Sequence, residues 1–240
     1  MKRVSTGAFV IATLSLLASG SARADEQAQE PAFGRAHGFA ISAERLFGFV
    51  HAETTTTMNG IDNTETFNSF SLLGNGSGDR TIYSLPRVGF DWFVVRNLSL
   101  GASVSYFRLS DAYNNNSVNG DVVSGVLLAP RVGYAIPLSR VASLWPRVGL
   151  TLAHFTDEYK EASSTGSGTV TETATTNLYA LTIEVPLVLT VAPHLFVTAA
   201  PILDLGLGGS SSLSGNPIPV PDNPMKATNL GILAGMGGFF

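Results

Sequence analysis

Leu98-Ser-Leu-Gly-Ala-Ser-Val-Ser-Tyr106 alternates without a break. Leu98, Leu100, Ala102, Val104 and Tyr106 fall on one side of an extended chain, and Ser99, Gly101, Ser103 and Ser105 on the other. Successive side chains of a strand point to opposite faces, so this is a strand with one apolar face and one small, polar face. The split recurs at 128–136, where Leu128, Pro130, Val132, Tyr134 and Ile136 oppose Ala129, Arg131, Gly133 and Ala135. At 229–240, Leu230, Ile232, Ala234, Met236 and Phe240 oppose Asn229, Gly231, Leu233, Gly235 and Gly237.

Eight runs of this texture are legible, at 38–54, 81–94, 98–110, 122–138, 142–155, 176–191, 195–206 and 228–240. None carries a convincing helical period. The connections alternate in length. Those at 55–80, 111–121, 156–175 and 207–227 are long and rich in Thr, Asn, Ser and Gly, whereas those at 95–97, 138–141 and 192–194 are short. Eight antiparallel strands joined this way predict an all-β, up-and-down barrel. With an even strand count, the short turns share one rim with the ends of the first and last strands, and the long loops share the other.

The N-terminal 24 residues read as a secretory signal peptide. Lys2 and Arg3 precede a short apolar run, and Ala22-Arg23-Ala24 offers small residues at the spacing a signal peptidase reads. Residues 25–37 form a short polar leader before the barrel at 38–240. Removing Lys2, Arg3 and Arg23 from 14 basic residues leaves 11 against 18 acidic ones, a net charge of −7. That argues against nucleic acid as a partner. An exported chain with no cysteine needs a large sheet or closed barrel in place of disulfides. After the signal no 18-residue apolar run occurs, yet only 13% of residues are charged. Crossing a membrane with strands resolves the tension.

Alternation alone does not say which face meets lipid. Three features put the apolar face outward. An eight-stranded barrel has an interior just wide enough for side chains, and a core of Ser, Gly, Ala and Thr buries little apolar area. Glu44, Arg87, Asp91, Arg131, Arg147, Glu184 and Asp204 fall on the non-apolar face, where guanidinium and carboxylate groups can pair. Trp92 and Tyr134 lie near short turns, and Tyr83, Tyr106 and Tyr179 near long loops, as two aromatic girdles require. Glu44 and Arg45 are adjacent and so fall on opposite faces, which marks a boundary or a bulge.

One motif recurs in these strands: LPRVGF at 85–90, APRVGY at 129–134 and WPRVGL at 145–150. By parity, each arginine and glycine faces the lumen and each proline and valine faces lipid. The glycine leaves room beside a large side chain, and the proline predicts a lost ladder bond or a local kink.

On these residues the chain resembles the small outer-membrane β-barrel proteins of Gram-negative bacteria, of the OmpA/OmpX-like kind. The last strand, Asn229–Phe240, ends in Phe as theirs commonly does, although Gly238 departs from their usual apolar residue. The resemblance implies that Phe240 is an assembly signal for the barrel-assembly machinery. Because the chain stops at the barrel, the peptidoglycan-binding domain of some relatives is expected to be absent. The expected localisation is the outer membrane, with membrane lipid as partner, a monomeric state, no cofactor and no metal.

The favoured function is non-enzymatic: a membrane anchor with a charge-plugged lumen, displaying four polar loops for a structural, adhesive or surface-interaction role. A narrow or gated small-solute channel is the alternative. A lipid A-modifying enzyme would use a His-x-Ser pair with a carboxylate, which His154, Thr156 and Glu158 only approach. A soluble lipocalin-like carrier would require the opposite orientation of the two faces. His37, His51, His154 and His194 lack the spacing of zinc ligands.

Overall fold

The computed structural model of the chain describes residues 33–58, 60–72, 85–110, 122–162, 169–215 and 222–240. The strands in chain order are β1 (Phe39–Met58), β2 (Ile61–Leu72), β3 (Arg87–Val95), β4 (Leu98–Ser110), β5 (Val122–Tyr134) and β6 (Ile136–Pro137). They are followed by β7 (Ala142–Leu144), β8 (Arg147–Ala162), β9 (Thr169–Glu184), β10 (Leu187–Ala192), β11 (Leu195–Ser214) and β12 (Asn223–Phe239). Together they fill eight positions of a closed antiparallel barrel. Closure comes from β12, which pairs with β11 on one edge and β1 on the other. No helix among the described residues is long and apolar enough to cross a membrane.

Some barrel positions hold two strands because a proline interrupts the ladder. Pro146 lies between β7 and β8, and Pro186 between β9 and β10. Single backbone bonds bridge these breaks, from Tyr134 N to Pro146 O (3.0 Å) and from Trp145 N to Pro186 O (2.8 Å). Pro130 sits inside β5, and the β5–β8 pairing lapses between Leu128 and Arg131. Pro86 just precedes β3, and its carbonyl accepts from Ser105 Oγ at 2.7 Å. A residue without an N–H leaves the ladder one bond short, and these are the places where that deficit falls.

The strands run further than apolar alternation predicts. Residues 61–72, expected within a long loop, form β2 and pair with β1 from Met58 opposite Ile61 to Leu72 opposite Phe47. β3 then takes up the same edge of β1, with Arg87 opposite Glu44. Likewise β8 and β9 stay paired to Ala162 and Thr169, and β11 reaches Ser214. These extensions are rich in Thr and Ser. Thr is β-branched and suits an extended backbone, but it carries no apolar alternation by which such a strand can be read.

The barrel is inside out relative to a soluble one. Ser99, Ser103 and Ser105 are buried, whereas Leu100, Val104 and Tyr106 on the same strand are 50%, 47% and 68% exposed. Exposed Phe47, Phe49, Phe90, Leu128, Val148, Leu150, Leu205 and Ile232 continue this apolar surface around the wall. Water would not tolerate an apolar surface of that extent on a monomer, and lipid does.

The interior is layered. At the short-turn end Phe33, Phe93, Trp145, Val188, Phe196 and Phe239 form an apolar cluster. Charged side chains fill the middle. Toward the far end of the strands lies an apolar group around Leu127, Leu178 and Ala180, and a third group around Val50, Ile202 and Leu233 flanks the charged layer on the β1, β11 and β12 side.

Candidate functional site

The middle layer is built from side chains of six strands. Arg131 of β5 reaches two carboxylates at once. Its Nε and Nη2 donate to Asp91 at 3.0 and 2.5 Å, and its Nη1 and Nη2 donate to Glu44 at 2.6 and 2.7 Å. Arg147 of β8 donates to Glu44 Oε1 at 2.7 Å and to Glu184 Oε2 at 2.6 Å. Arg45 of β1 donates to Glu184 Oε1 at 2.6 Å and to Asp204 at 2.9 and 3.2 Å. The result is one alternating chain across the lumen: Asp91, Arg131, Glu44, Arg147, Glu184, Arg45, Asp204. The side chains of all seven are at most 8% exposed.

Hydroxyl groups extend the chain at its ends and edges. Thr182 Oγ1 donates to Asp204 at 2.7 Å and meets Thr151 Oγ1 at 2.6 Å, and Arg87 Nη1 approaches Thr151 at 3.5 Å. Ser42 donates to Glu44 at 2.8 Å. The Arg147 guanidinium also lies 4.6 Å from the centre of the Trp145 ring, a cation–π contact with the aromatic layer below. Counting Arg87, four guanidinium groups face four carboxylates, so the layer is electrically neutral. A shared carboxylate between two guanidiniums, with bidentate geometry, is what makes burial of so many ions tolerable.

Arg45 is the member that parity does not place. Between Ala43 opposite Met236 and Phe47 opposite Ala234, the residues Glu44, Arg45 and Leu46 stand against Gly235 alone. Arg45 takes a φ of 57°, which turns its side chain to the same side as Glu44. Adjacent opposite charges in an otherwise apolar run were the available signal. Parity turns Glu44 inward, and the bulge turns Arg45 inward beside it.

The glycines of the repeated motif make room for neighbouring strands. A Cβ on Gly89 would press on Ser42, Glu44 and the Arg131 guanidinium, and one on Gly149 would press on Arg131 itself. One on Gly101 would meet the Asp91 carboxylate. The space each glycine leaves is therefore taken by a side chain across the ladder, and not by the arginine two residues before it.

On the outer face, Trp92, Tyr106, Tyr134 and Tyr179 are all exposed. Tyr83 lies outside the described residues. Phe240 is exposed and stacks on Phe39 at 5.2 Å, while Phe239 turns into the lumen. His154 is exposed and meets Asn177 Oδ1 at 2.8 Å, and Thr156 meets Ser124 at 3.2 Å, so neither engages Glu158 in any hydrogen bond seen among the described residues. No group of metal-binding side chains occurs among the described residues.

Solved structures share this architecture. The outer-membrane protein AlkL, determined in lipid bilayers, superposes with a TM-score of 0.51 at 11% identity, over 92% of this chain and 97% of that one. The chain has the fold of the Gram-negative outer-membrane β-barrels. OprG from Pseudomonas aeruginosa matches with a TM-score of 0.48 at 9% identity, over 86% of this chain and 97% of that one. Ail, the attachment invasion locus protein of Yersinia pestis, matches with a TM-score of 0.38 at 12% identity, over 85% and 99%. No protein-family model matches the sequence, and no curated protein matches it. With its apolar outer wall, the barrel is integral to the outer membrane.

Proposed function

We propose that this outer-membrane barrel is a non-enzymatic anchor. Its lumen is closed by the Asp91–Asp204 charge chain, and its polar strand extensions form the surface presented outside the cell. The rest of the four expected long loops lies outside the described residues. The observation that carries this reading is the chain itself: seven buried, mutually paired side chains spanning the lumen of a barrel already narrow at eight strands. A buried ion pair resists separation because each freed partner would be left as an uncompensated charge. The upper parts of β1, β2, β8 and β9 present Thr, Asn and Glu above the apolar band, a surface suited to polar contact with a partner. Export by residues 1–24, recognition of Phe240 by the barrel-assembly machinery and a monomeric state belong to the same proposal.

The test is conductance in planar lipid bilayers. The wild-type barrel is expected to show no reproducible open steps. Steady stepwise currents from the purified, folded protein would favour the narrow-channel reading and overturn the plug.

A further inference from the structure

The aromatic cluster at the short-turn end contains one ring that does not come from the wall. Phe93, Trp145, Phe196 and Phe239 belong to β3, the break before β8, β11 and β12. Phe33 comes from the segment before β1, and it is only 4% exposed. It makes edge-on contacts with all four wall rings, at centroid distances of 5.4 Å to Phe93, 5.1 Å to Trp145, 5.5 Å to Phe196 and 5.8 Å to Phe239. Edge-on contact, which sets the positive rim of one ring against the negative face of another, is a favoured arrangement of aromatic pairs.

The backbone around Phe33 is fastened at several points. Asn97 N donates to Gly34 O at 2.8 Å, His37 N to Phe93 O at 2.7 Å and Phe93 N to Gly38 O at 2.8 Å. Gly34 has a φ of 87°, and a Cβ there would crowd Asn97 Oδ1 and Ala135. His37 is also left-handed, at 61°. The chain thus turns sharply twice to carry one phenyl ring into the mouth and then enter β1.

We propose that residues 33–37 are a built-in stopper: Phe33 seals the periplasmic mouth of the barrel and keeps water and small solutes from the space beneath the charge chain. Without that ring, four wall aromatics surround a gap the size of a phenyl group. The stopper is separate from the charge chain, which lies above it in the lumen. It closes the mouth by insertion of a tethered side chain, so it can be withdrawn without breaking the wall.

The chain has no cysteine, so Ala135→Cys provides a single thiol in this cluster, at a position now 1% exposed. The readout is its rate of modification by a small, charged methanethiosulfonate in the refolded full-length protein. With Phe33 in place, modification is expected to be slow. Phe33→Ala should accelerate it by about ten-fold or more, because labelling follows the population of the open mouth. Gly34→Val, which leaves the ring intact but unseats its turn, should accelerate it as well. Equal rates with and without these changes would overturn the stopper, since the wall alone would then seal the mouth. Failure of Phe33→Ala to give the heat-modifiable folded band would also overturn it, because the ring would then be a requirement of the fold. Conductance of Phe33→Ala separates the two readings. It should stay closed, whereas open steps would sink the charge-chain plug and leave the stopper standing.

Discussion

Glu44 shows how much one carboxylate can hold. It accepts three hydrogen bonds from Arg131 and Arg147 and a fourth from Ser42. Glu44→Gln keeps the shape and removes the charge, leaving two guanidiniums each with one carboxylate partner fewer. Removing one partner of a buried pair costs about 3–5 kcal/mol. The variant is therefore expected to unfold at clearly lower urea concentration in detergent. Glu65→Gln on the exposed face of β2 should shift the midpoint by no more than about 0.5 kcal/mol equivalent. A Glu44→Gln barrel as stable as wild type would mean that the chain contributes nothing to holding the wall. Residue types and parity brought seven of the eight charged side chains to the lumen in sequence. Arg45 needed the bulge, whose extra residues are visible only once β1 is laid against β12.

At the scale of elements, the strand limits depend on hydrogen bonding more than on apolar pattern. The residues from Glu53 to Met58 and from Ile61 to Thr66 lie above the last lipid-facing phenylalanine of β1, yet they are ladder-paired. Amide exchange in micelles should be slow along 47–58 and 61–72, because paired amides exchange only on opening. Exchange at the rate of an unstructured loop across 61–72 would dismiss the β1–β2 hairpin. The prolines act in the opposite sense. Each removes a donor where the alternating pattern reads as continuous strand, so β7 and β8, like β9 and β10, are separate elements at one barrel position. The recurring proline was legible in sequence as a lost bond. That the break would fall between a short strand and a long one was set by how neighbours bridge it through carbonyls.

For the whole molecule, the decisive quantity is the height of the apolar band. On β4 the outward residues are apolar from Leu98 to Tyr106, and Arg108 follows. That is close to the length of about 9–11 residues a tilted strand needs to cross a bilayer. Leu100, half-exposed within the band, is a direct probe of it. Leu100→Arg should destabilise the folded barrel in lipid vesicles by about 2–4 kcal/mol, and much less if the site were at the interface. Denaturant titration into vesicles measures this. A neutral outcome would place Leu100 outside the hydrocarbon and shift the entire register of the barrel in the membrane.

The sequence alone determined the fold class and the side of the wall that meets lipid. Period-two alternation and the pairing of opposite charges on the non-apolar face are local properties of the strands, and they carry over unchanged when the sheet closes. Three things were decided only by tertiary structure. The bulge that brings Arg45 to Glu184 and Asp204 depends on register between the first and last strands. The polar strand extensions depend on partners for backbone groups, and not on side-chain pattern. The seat of Phe33 depends on four rings, distant in sequence, meeting only when the barrel closes.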